Sequence, residues 1–257
     1  MVRRDFFVTT SYRVPFVLDL LFGVLNLAIY FFISRTFQDF PSESLHGAPS
    51  YFAFAAVGIA ITMVIDAAST GLARKIREEQ LTGTLEALLT QPITVSELSF
   101  GLAGFPFVFA MLRALFYLLV AAVLLGVDFS EADWLGFVLV LMASGLAFAG
   151  LGVLSGAVMM VVKRGDVLVG VLVFGMGLAS GAFFPVAVLL DWIQPVGEVV
   201  PTRFAFDGLR SAIFLGEGWG RDAVTLVLFG IVSLPLAVFA FDRALAYARR
   251  TGSVSQY

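Results

Sequence analysis

The chain has 257 residues, of which 60% are hydrophobic and 14% charged, and its mean hydropathy is +0.96. A soluble domain is about half apolar and about one quarter charged, so this composition predicts a protein whose solvent is lipid. The formal net charge of -3 argues against nucleic acid as a partner, and the lack of cysteine in the sequence excludes disulfides and thiolate metal sites.

Six apolar stretches are long enough to cross a membrane, which takes a helix of about 20 residues. In chain order they are residues 14–33, 51–72, 106–125, 134–162, 167–190 and 223–241. These runs are continuously apolar, whereas barrel strands alternate in hydrophobicity. The sequence therefore predicts an all-α membrane protein with six transmembrane helices, formed by one domain over residues 1–257 and preceded by an amphipathic segment at residues 1–13.

The distribution of lysine and arginine predicts the orientation, because both are enriched in cytoplasmic loops. With both termini inside, the inner segments carry 11 of the 16 basic residues and the outer segments carry 4, while Arg113 lies within the third span. We therefore expect an N-in/C-in topology. The polar residues 77–98, between spans 2 and 3, are then cytoplasmic.

Residues 77–98 read REEQLTGTLEALLTQPITVSEL and predict two short helices. The apolar positions of the first helix have helical spacing: Leu81, Leu85, Leu88 and Leu89. Pro92 ends this helix. Thr94 and Glu97 form a predicted capping box, from which the second helix continues into span 3.

Two interpretations of the first helix remain open. Its period fits a connector that rests on lipid headgroups, but helices on membrane surfaces favour lysine and arginine on their polar face. The polar residues here are mostly acidic: Glu78, Glu79, Gln80 and Glu86. This acidity favours docking to a cytoplasmic protein.

The outer segment at residues 185–221 is half apolar and is interrupted by Pro185, Pro195 and Pro201. It is too broken to span the bilayer, yet hydrophobic enough to enter the outer leaflet, where irregular backbone must pack against protein or water. We expect short re-entrant or interfacial helices that cover the outer end of the bundle. His46, in another outer loop, is expected to be solvated only.

Charged residues at bilayer depth are costly and tend to pair. Asp66 in span 2 and Arg113 in span 3 lie at similar depth from the inner ends of their helices, so we predict an ion pair between them. The alternative is that each snorkels or bonds to backbone. Asp19 is interpreted as an interface anchor close to Arg13.

Two separated motifs resemble the ABC-2 type permeases, the type V membrane domains of ABC transporters. The first has an acidic residue, Gly-Thr-Leu-Glu, a leucine pair and Thr-Pro, at Glu79, Gly83, Thr84, Leu85, Glu86, Leu88, Leu89, Thr90 and Pro92, with Gln91 as a departure. The second comprises Ser180, Gly181, Phe184, Pro185, Trp192, Pro201, Phe204, Asp207 and Arg210, with Val200 in place of the usual asparagine. The resemblance covers essentially the whole chain.

The resemblance implies a coupling helix near residues 82–91, seated in a groove of a separate ABC ATPase subunit that binds ATP and Mg. Neither Lys75 nor Lys163 lies in a phosphate-binding Gly-x-x-x-x-Gly-Lys-Ser/Thr loop, so this chain is expected to be no enzyme by itself and to bind no cofactor. It further implies a homodimer, or a pair with a related permease, surrounded by membrane lipid. Spans 1, 2 and 5 would line the pathway.

The function that follows is export of a lipid-like or hydrophobic, drug-like and amphiphilic cargo, across the inner or plasma membrane of a bacterial or archaeal cell. A secondary transporter driven by an ion gradient is the first alternative, but such proteins use midplane acidic residues and internal repeats. No inverted repeat relates residues 1–127 to 128–257. A scaffold that uses the ATPase for mechanical work is the second alternative.

Overall fold

The structure is a computed structural model that describes residues 13–36, 45–84, 87–88, 90, 94–161 and 165–251. These ranges contain eight α-helices and no strand: α1 Arg13–Thr36, α2 Tyr51–Leu81, α3 Val95–Leu125, α4 Trp134–Val161, α5 Gly165–Ala179, α6 Gln194–Val199, α7 Pro201–Arg210 and α8 Gly220–Thr251. A 3-10 turn at Val186–Val188 precedes α6, and a π-helical turn at Ser211–Leu215 follows α7. The predicted all-helical class is confirmed for the described residues.

Five of the described helices, α1, α2, α3, α4 and α8, are long and apolar enough to cross a membrane. The predicted fifth span, residues 167–190, was too long, because the apolar helix there covers only Val167–Ala179. The 15 residues of α5 span about 22 Å, less than the hydrocarbon core of about 30 Å. Gly181, with a φ of +83°, turns the chain directly after α5, and Pro185 follows.

Helix α2 lies at the centre of the bundle. In its apolar window 83% of the residues are buried, against 11% for α1. Helices α3 and α4 pack along α2, and α8 packs mainly on the far side of α4. The innermost helix is therefore the one that leads directly into the cytoplasmic segment predicted from the sequence.

Glycines allow the helices around α2 to approach closely, as expected for helix packing in lipid. A Cβ atom on Gly152 of α4 would lie 2.1 Å from the carbonyl oxygen of Ala68 in α2. A Cβ atom on Gly58 of α2 would lie 1.7 Å from the carbonyl oxygen of Ala182. Backbone-to-backbone contact at these two points places α4 and the turn after α5 against α2.

The ends of the long helices follow the sequence signals. Ser50 caps α2 by accepting a hydrogen bond from the Ala53 N–H at 3.2 Å. The predicted capping box of α3 is present: the Thr94 hydroxyl accepts from the Glu97 N–H at 3.2 Å, and the Thr94 N–H donates to Glu97 Oε2 at 2.8 Å. Asp133 Oδ1 accepts from the Gly136 N–H at the start of α4.

We predict that Gly152→Ala lowers the free energy of unfolding by about 1–3 kcal/mol, because the added methyl group overpacks the contact with Ala68. Gly170→Ala is the matched control, because a Cβ atom at this helical position meets nothing within 4 Å. The control is expected to be neutral or stabilising by up to about 1 kcal/mol. Unfolding in detergent measures both, and equal midpoints for the two variants would contradict the packing assignment.

Candidate functional site

Arg210, at the end of α7, joins three segments at one end of the helix bundle. Its side chain is 1% exposed. Nη2 donates to the carbonyl oxygens of Gly181 at 2.9 Å and Ala182 at 3.2 Å, in the turn after α5, and to that of Phe54 in the first turn of α2 at 3.2 Å. The guanidinium also lies 3.4 Å from the ring centroid of Phe54. We call this arrangement the arginine clamp.

The clamp supplies hydrogen-bond donors where the chain needs them. The carbonyls of Gly181 and Ala182 lie just beyond the end of α5, and an unsatisfied carbonyl away from water costs free energy. Burial lowers the pKa of Arg210 to about 9, while the nearby charge of Asp207 acts in the opposite direction. The guanidinium therefore stays charged at neutral pH and bonds strongly to the carbonyls.

A second polar contact fastens α7 to the end of α5. The hydroxyl oxygens of Ser180 and Thr202 lie 2.5 Å apart, and the Thr202 hydroxyl donates to the carbonyl oxygen of Met176 at 3.1 Å. Ser180 and Thr202 are both fully buried. The Met176 carbonyl in the last turn of α5 thus bonds to a side chain of α7, whereas the Gly177 and Leu178 carbonyls accept from the N–H groups of Ala182 and Gly181.

Asp207 centres a smaller cluster at the rim of the clamp. Its carboxylate pairs with Arg203 at 2.5 Å and lies 3.6 Å from His46 Nε2. Burial lowers the pKa of His46, and the charge of Asp207 opposes that shift. The expectation that His46 is only solvated was wrong, because its ring faces the carboxylate of Asp207. The sequence did not indicate this contact, since 161 positions separate the two residues.

The other predicted residues of the outer segment surround the clamp. Pro185 is buried just before the 3-10 turn, and Pro201 is the first residue of α7. Trp192 is 73% exposed. Several further apolar side chains of this segment are exposed as well: Val188, Leu190, Val196 and Val199. This apolar rim fits the interfacial helices predicted here.

A groove of about 430 Å³ lies between α1, α2 and α5. Phenylalanine rings form much of its wall, from Phe22, Phe174, Phe183 and Phe184, and its polar groups come from Asn26, Tyr30 and Thr62. These are the helices that correspond to spans 1, 2 and 5, which the family resemblance places along the pathway. We call this space the central groove.

The predicted ion pair between Asp66 and Arg113 is corrected by the structure. Arg113 donates to Asp19 of α1, and Asp66 accepts from Arg74, about two turns further along α2. Tyr117 of α3 also donates to the Asp19 carbonyl at 3.3 Å. The sequence placed Asp66 and Arg113 on neighbouring helices, but it could not show that α1 packs against α3 near Arg113.

The first motif begins at a defined helix stop. The Gly83 N–H donates to the Gln80 carbonyl at 3.1 Å and the Thr84 N–H to the Glu79 carbonyl at 3.0 Å, which is the Schellman pattern. Gly83 has the positive φ of +71° that this pattern requires. Glu79 is 4% exposed, and its carboxylate accepts from the Thr84 hydroxyl.

This stop changes the predicted helix boundaries, because Leu81 belongs to α2 and not to the next helix. The Leu88 N–H donates to the Thr84 carbonyl at 3.1 Å, so helical structure resumes after the turn. Leu88 is half-buried. The predicted coupling residues Leu85, Glu86, Leu89 and Pro92, and residues 1–12 of the N-terminal segment, lie outside the described residues.

The described residues include five apolar helices of membrane-spanning length, and these define a multi-pass membrane protein. A family model described as ABC-2 type transporter matches residues 1–214, and the chain therefore belongs to the ABC-2 type transporter family. A comparison with curated proteins finds no match. Membership indicates the membrane permease subunit of an ABC transporter, a kind of subunit that is generally non-catalytic and works with an ATPase subunit.

We predict that Arg210→Gln lowers the free energy of unfolding by about 3 kcal/mol or more, because it removes a charged donor from three buried carbonyls. Arg221→Gln, at an exposed position in the first turn of α8, is the control, expected within about 0.5 kcal/mol of the native chain. Arg210→Lys keeps the charge and is expected to lie between them. Unfolding in detergent measures all three; equal losses for Arg210→Gln and Arg221→Gln would rule out the clamp.

Proposed function

We propose that this chain is one permease subunit of an ATP-driven exporter in the inner or plasma membrane of a bacterial or archaeal cell. It crosses the membrane six times with both termini inside, as a single domain. It pairs with a second copy or a related permease and docks a separate ABC ATPase that binds ATP and Mg. The observation that carries this proposal is the continuity of α2 between the outer cap, the central groove and the cytoplasmic turn.

Helix α2 is one continuous helix that can transmit a displacement from one end of the bundle to the other. Its 31 residues extend about 46 Å. Phe54 near its outer end bonds to the arginine clamp, Ile59 and Thr62 line the central groove, and Gly83 just beyond its inner end forms the Schellman turn. A displacement of the cytoplasmic turn therefore acts on both the groove and the outer cap through one helix.

The short helix α5 completes the proposed sixth crossing. It ends at Ala179, and Arg210 donates to the carbonyls of Gly181 and Ala182 beyond it, as irregular backbone at membrane depth requires. Thr202 donates to the Met176 carbonyl in the last turn of α5. The segment from Ser180 to Val200 then covers the remaining distance to the outer surface. Irregular structure in this half of the crossing leaves the groove beside α5 open.

A second permease subunit would close the central groove. Helix α1 is mostly exposed in the single chain, and α5 exposes a row of apolar side chains: Val167, Leu168, Val171, Leu172 and Phe174. These two helices flank the groove, so a partner that packs on both converts it into an enclosed pathway. Aromatic walls with few polar groups suit a lipid-like or amphiphilic, drug-like cargo.

We predict that the double variant Leu85→Asp, Leu88→Asp reduces ATPase capture or ATP-driven transport at least about tenfold, because docking segments depend on a few apolar anchors. Ala246→Asp, exposed near the inner end of α8, is the control for an added negative charge on the same side. Capture of the ATPase with the tagged chain from its own cells, and ATP-dependent export from vesicles, measure the effect. Unchanged capture and export in the double variant would make the segment a connector only.

The same experiment separates the competing functions. Export that proceeds without ATP, under an ion gradient alone, would favour a secondary transporter. A captured ATPase together with the lack of any exported cargo would favour the mechanical scaffold.

The orientation is testable because the native sequence contains no cysteine. We predict that a membrane-impermeant maleimide labels Ser130→Cys in intact cells and labels Thr82→Cys only after lysis. Both positions are exposed, Ser130 in the loop between α3 and α4 and Thr82 in the turn after α2. The reverse labelling pattern would overturn the N-in/C-in assignment.

A further inference from the structure

A charged cavity of about 240 Å³ lies between α2 and α3, separate from the outer cap. Five of its eleven lining residues are charged, and the remaining six are apolar. The charged residues are Asp66, Arg74, Lys75, Glu78 and Arg113. A lining of this mixed kind fits a molecule that has a polar and an apolar part.

The charges of this cavity are balanced. Arg74 donates to both Asp66 and the Thr70 hydroxyl, and Lys75 pairs with Glu78 at 2.8 Å. Arg113 donates to Asp19, which brings a third carboxylate to the edge of the cavity. Three cations thus lie beside three carboxylates, so a ligand with a single sign of charge would meet repulsion as well as attraction.

These ion pairs are not covered by protein. The side chain of Arg74 is 55% exposed, that of Asp66 41% and that of Asp19 48%. The Nε atom of Arg113 is buried and has no hydrogen-bond partner within the part of the chain that the structure describes. At bilayer depth, charged groups that face hydrocarbon are costly, so water or the polar part of a ligand must cover them.

The depth of the cavity follows from the proposed orientation. If the hydrocarbon core begins near Tyr51, about 20 residues of α2 bring its inner boundary near Leu72. Arg74 and Glu78 then lie at the level of the inner headgroups, and Asp66 lies about 9 Å deeper, at about 1.5 Å per residue. The cavity therefore spans the boundary between headgroups and acyl chains of the inner leaflet.

One residue connects this cavity with the proposed pathway. Met63 of α2 lines both the charged cavity and the central groove. On α1, Asp19 reaches the charged cavity through its pair with Arg113, and Phe22 lines the groove one turn further on. A molecule held in the charged cavity is thus adjacent to the inner end of the groove.

We propose that this cavity is a loading site for a zwitterionic amphiphile of the inner leaflet, whose headgroup carries a phosphate and an ammonium group. The phosphate oxygens bond to the guanidinium groups of Arg74 and Arg113, and the ammonium group lies against Asp66 and Glu78. The acyl chains run over Phe109 and Met63. This assignment names the cargo class of the proposed exporter and rests on its proposed orientation.

Binding to the purified full chain in detergent, without nucleotide, tests the site. The probes share one fluorescent acyl chain and differ only in the headgroup: phosphatidylethanolamine, phosphatidylglycerol and diacylglycerol. We expect phosphatidylethanolamine to bind about tenfold or more tightly than diacylglycerol, since hydrogen bonds to charged groups contribute about 1.5–3 kcal/mol each. Phosphatidylglycerol is expected between the two.

The variants assign the two halves of the headgroup. Arg74→Gln and Arg113→Gln are expected to weaken phosphatidylethanolamine binding about tenfold while diacylglycerol is unaffected, and Arg113→Lys is expected to recover part of the loss. Glu78→Gln is expected to shift the preference towards phosphatidylglycerol. Arg243→Gln is the matched control: it removes a cation from the inner end of α8, outside the cavity, and is expected to bind like the native chain.

Several results would overturn the proposal. These are equal binding of phosphatidylethanolamine and diacylglycerol, tightest binding of phosphatidylglycerol to the native chain, or an equal effect of Arg243→Gln and Arg113→Gln in variants with native unfolding midpoints. Soluble glycerophosphoethanolamine that binds as tightly as the lipid would make this a site for free phosphate compounds. Because no ATPase is needed, loss of coupling in the leucine variants leaves this result unaffected, and the two proposals fail separately.

Discussion

The bonds from buried Arg210 to the turn after α5 and to the first turn of α2 are the constraint on which this end of the protein depends. In a bilayer a helix can stop partway only if other groups satisfy its last carbonyls. The backbone N–H groups of residues 180–182 satisfy the last turn of α5, and Arg210 donates to the carbonyls of Gly181 and Ala182 just beyond it. Gly58 provides the space for this turn to touch α2. The short helix α5, the outer cap and the open groove beside α5 all follow from this arrangement.

The charged residues of the membrane region are organised around α2 at two levels. At the outer end, His46, Arg203 and Asp207 surround the clamp and lie near the surface. At the opposite end lie the ion pairs of the charged cavity, which we propose to lie where headgroups meet acyl chains. The interior between these levels is apolar and contains the central groove. In the proposed export, an amphiphile that enters from the inner leaflet meets charge first and aromatic walls afterwards.

The buried position of α2 explains how one helix can serve several tasks. Its contacts with α3 and α4 hold it along most of its length, and Gly152 keeps the contact with α4 close. The same helix ends in the Schellman turn at Gly83, where the first family motif begins. In the proposed coupling, force that the ATPase applies at the Gly83 turn therefore acts on α2 in the middle of the bundle and not on a helix at its edge.

Much of the fold was accessible from the sequence, because hydrophobic runs, caps and prolines are local signals. Five predicted spans begin or end within about three residues of long helices, and the capping box at Thr94 and Glu97 was placed correctly. The motif around Arg210 identified the residues of the outer cap. Gly83 was found through its motif, although its role as a helix stop was not.

Partner identity was decided by the tertiary structure alone. Asp66 and Arg113 have the right depth to pair, yet the fold brings Asp19 to Arg113 and leaves Asp66 with Arg74. His46 meets Asp207 only because the loop before α2 and helix α7 share the outer face. The sequence by itself determined which segments lie in lipid and where helices start, since those depend on neighbouring residues. Which charges meet, and where α5 ends, depended on contacts between residues far apart in the chain.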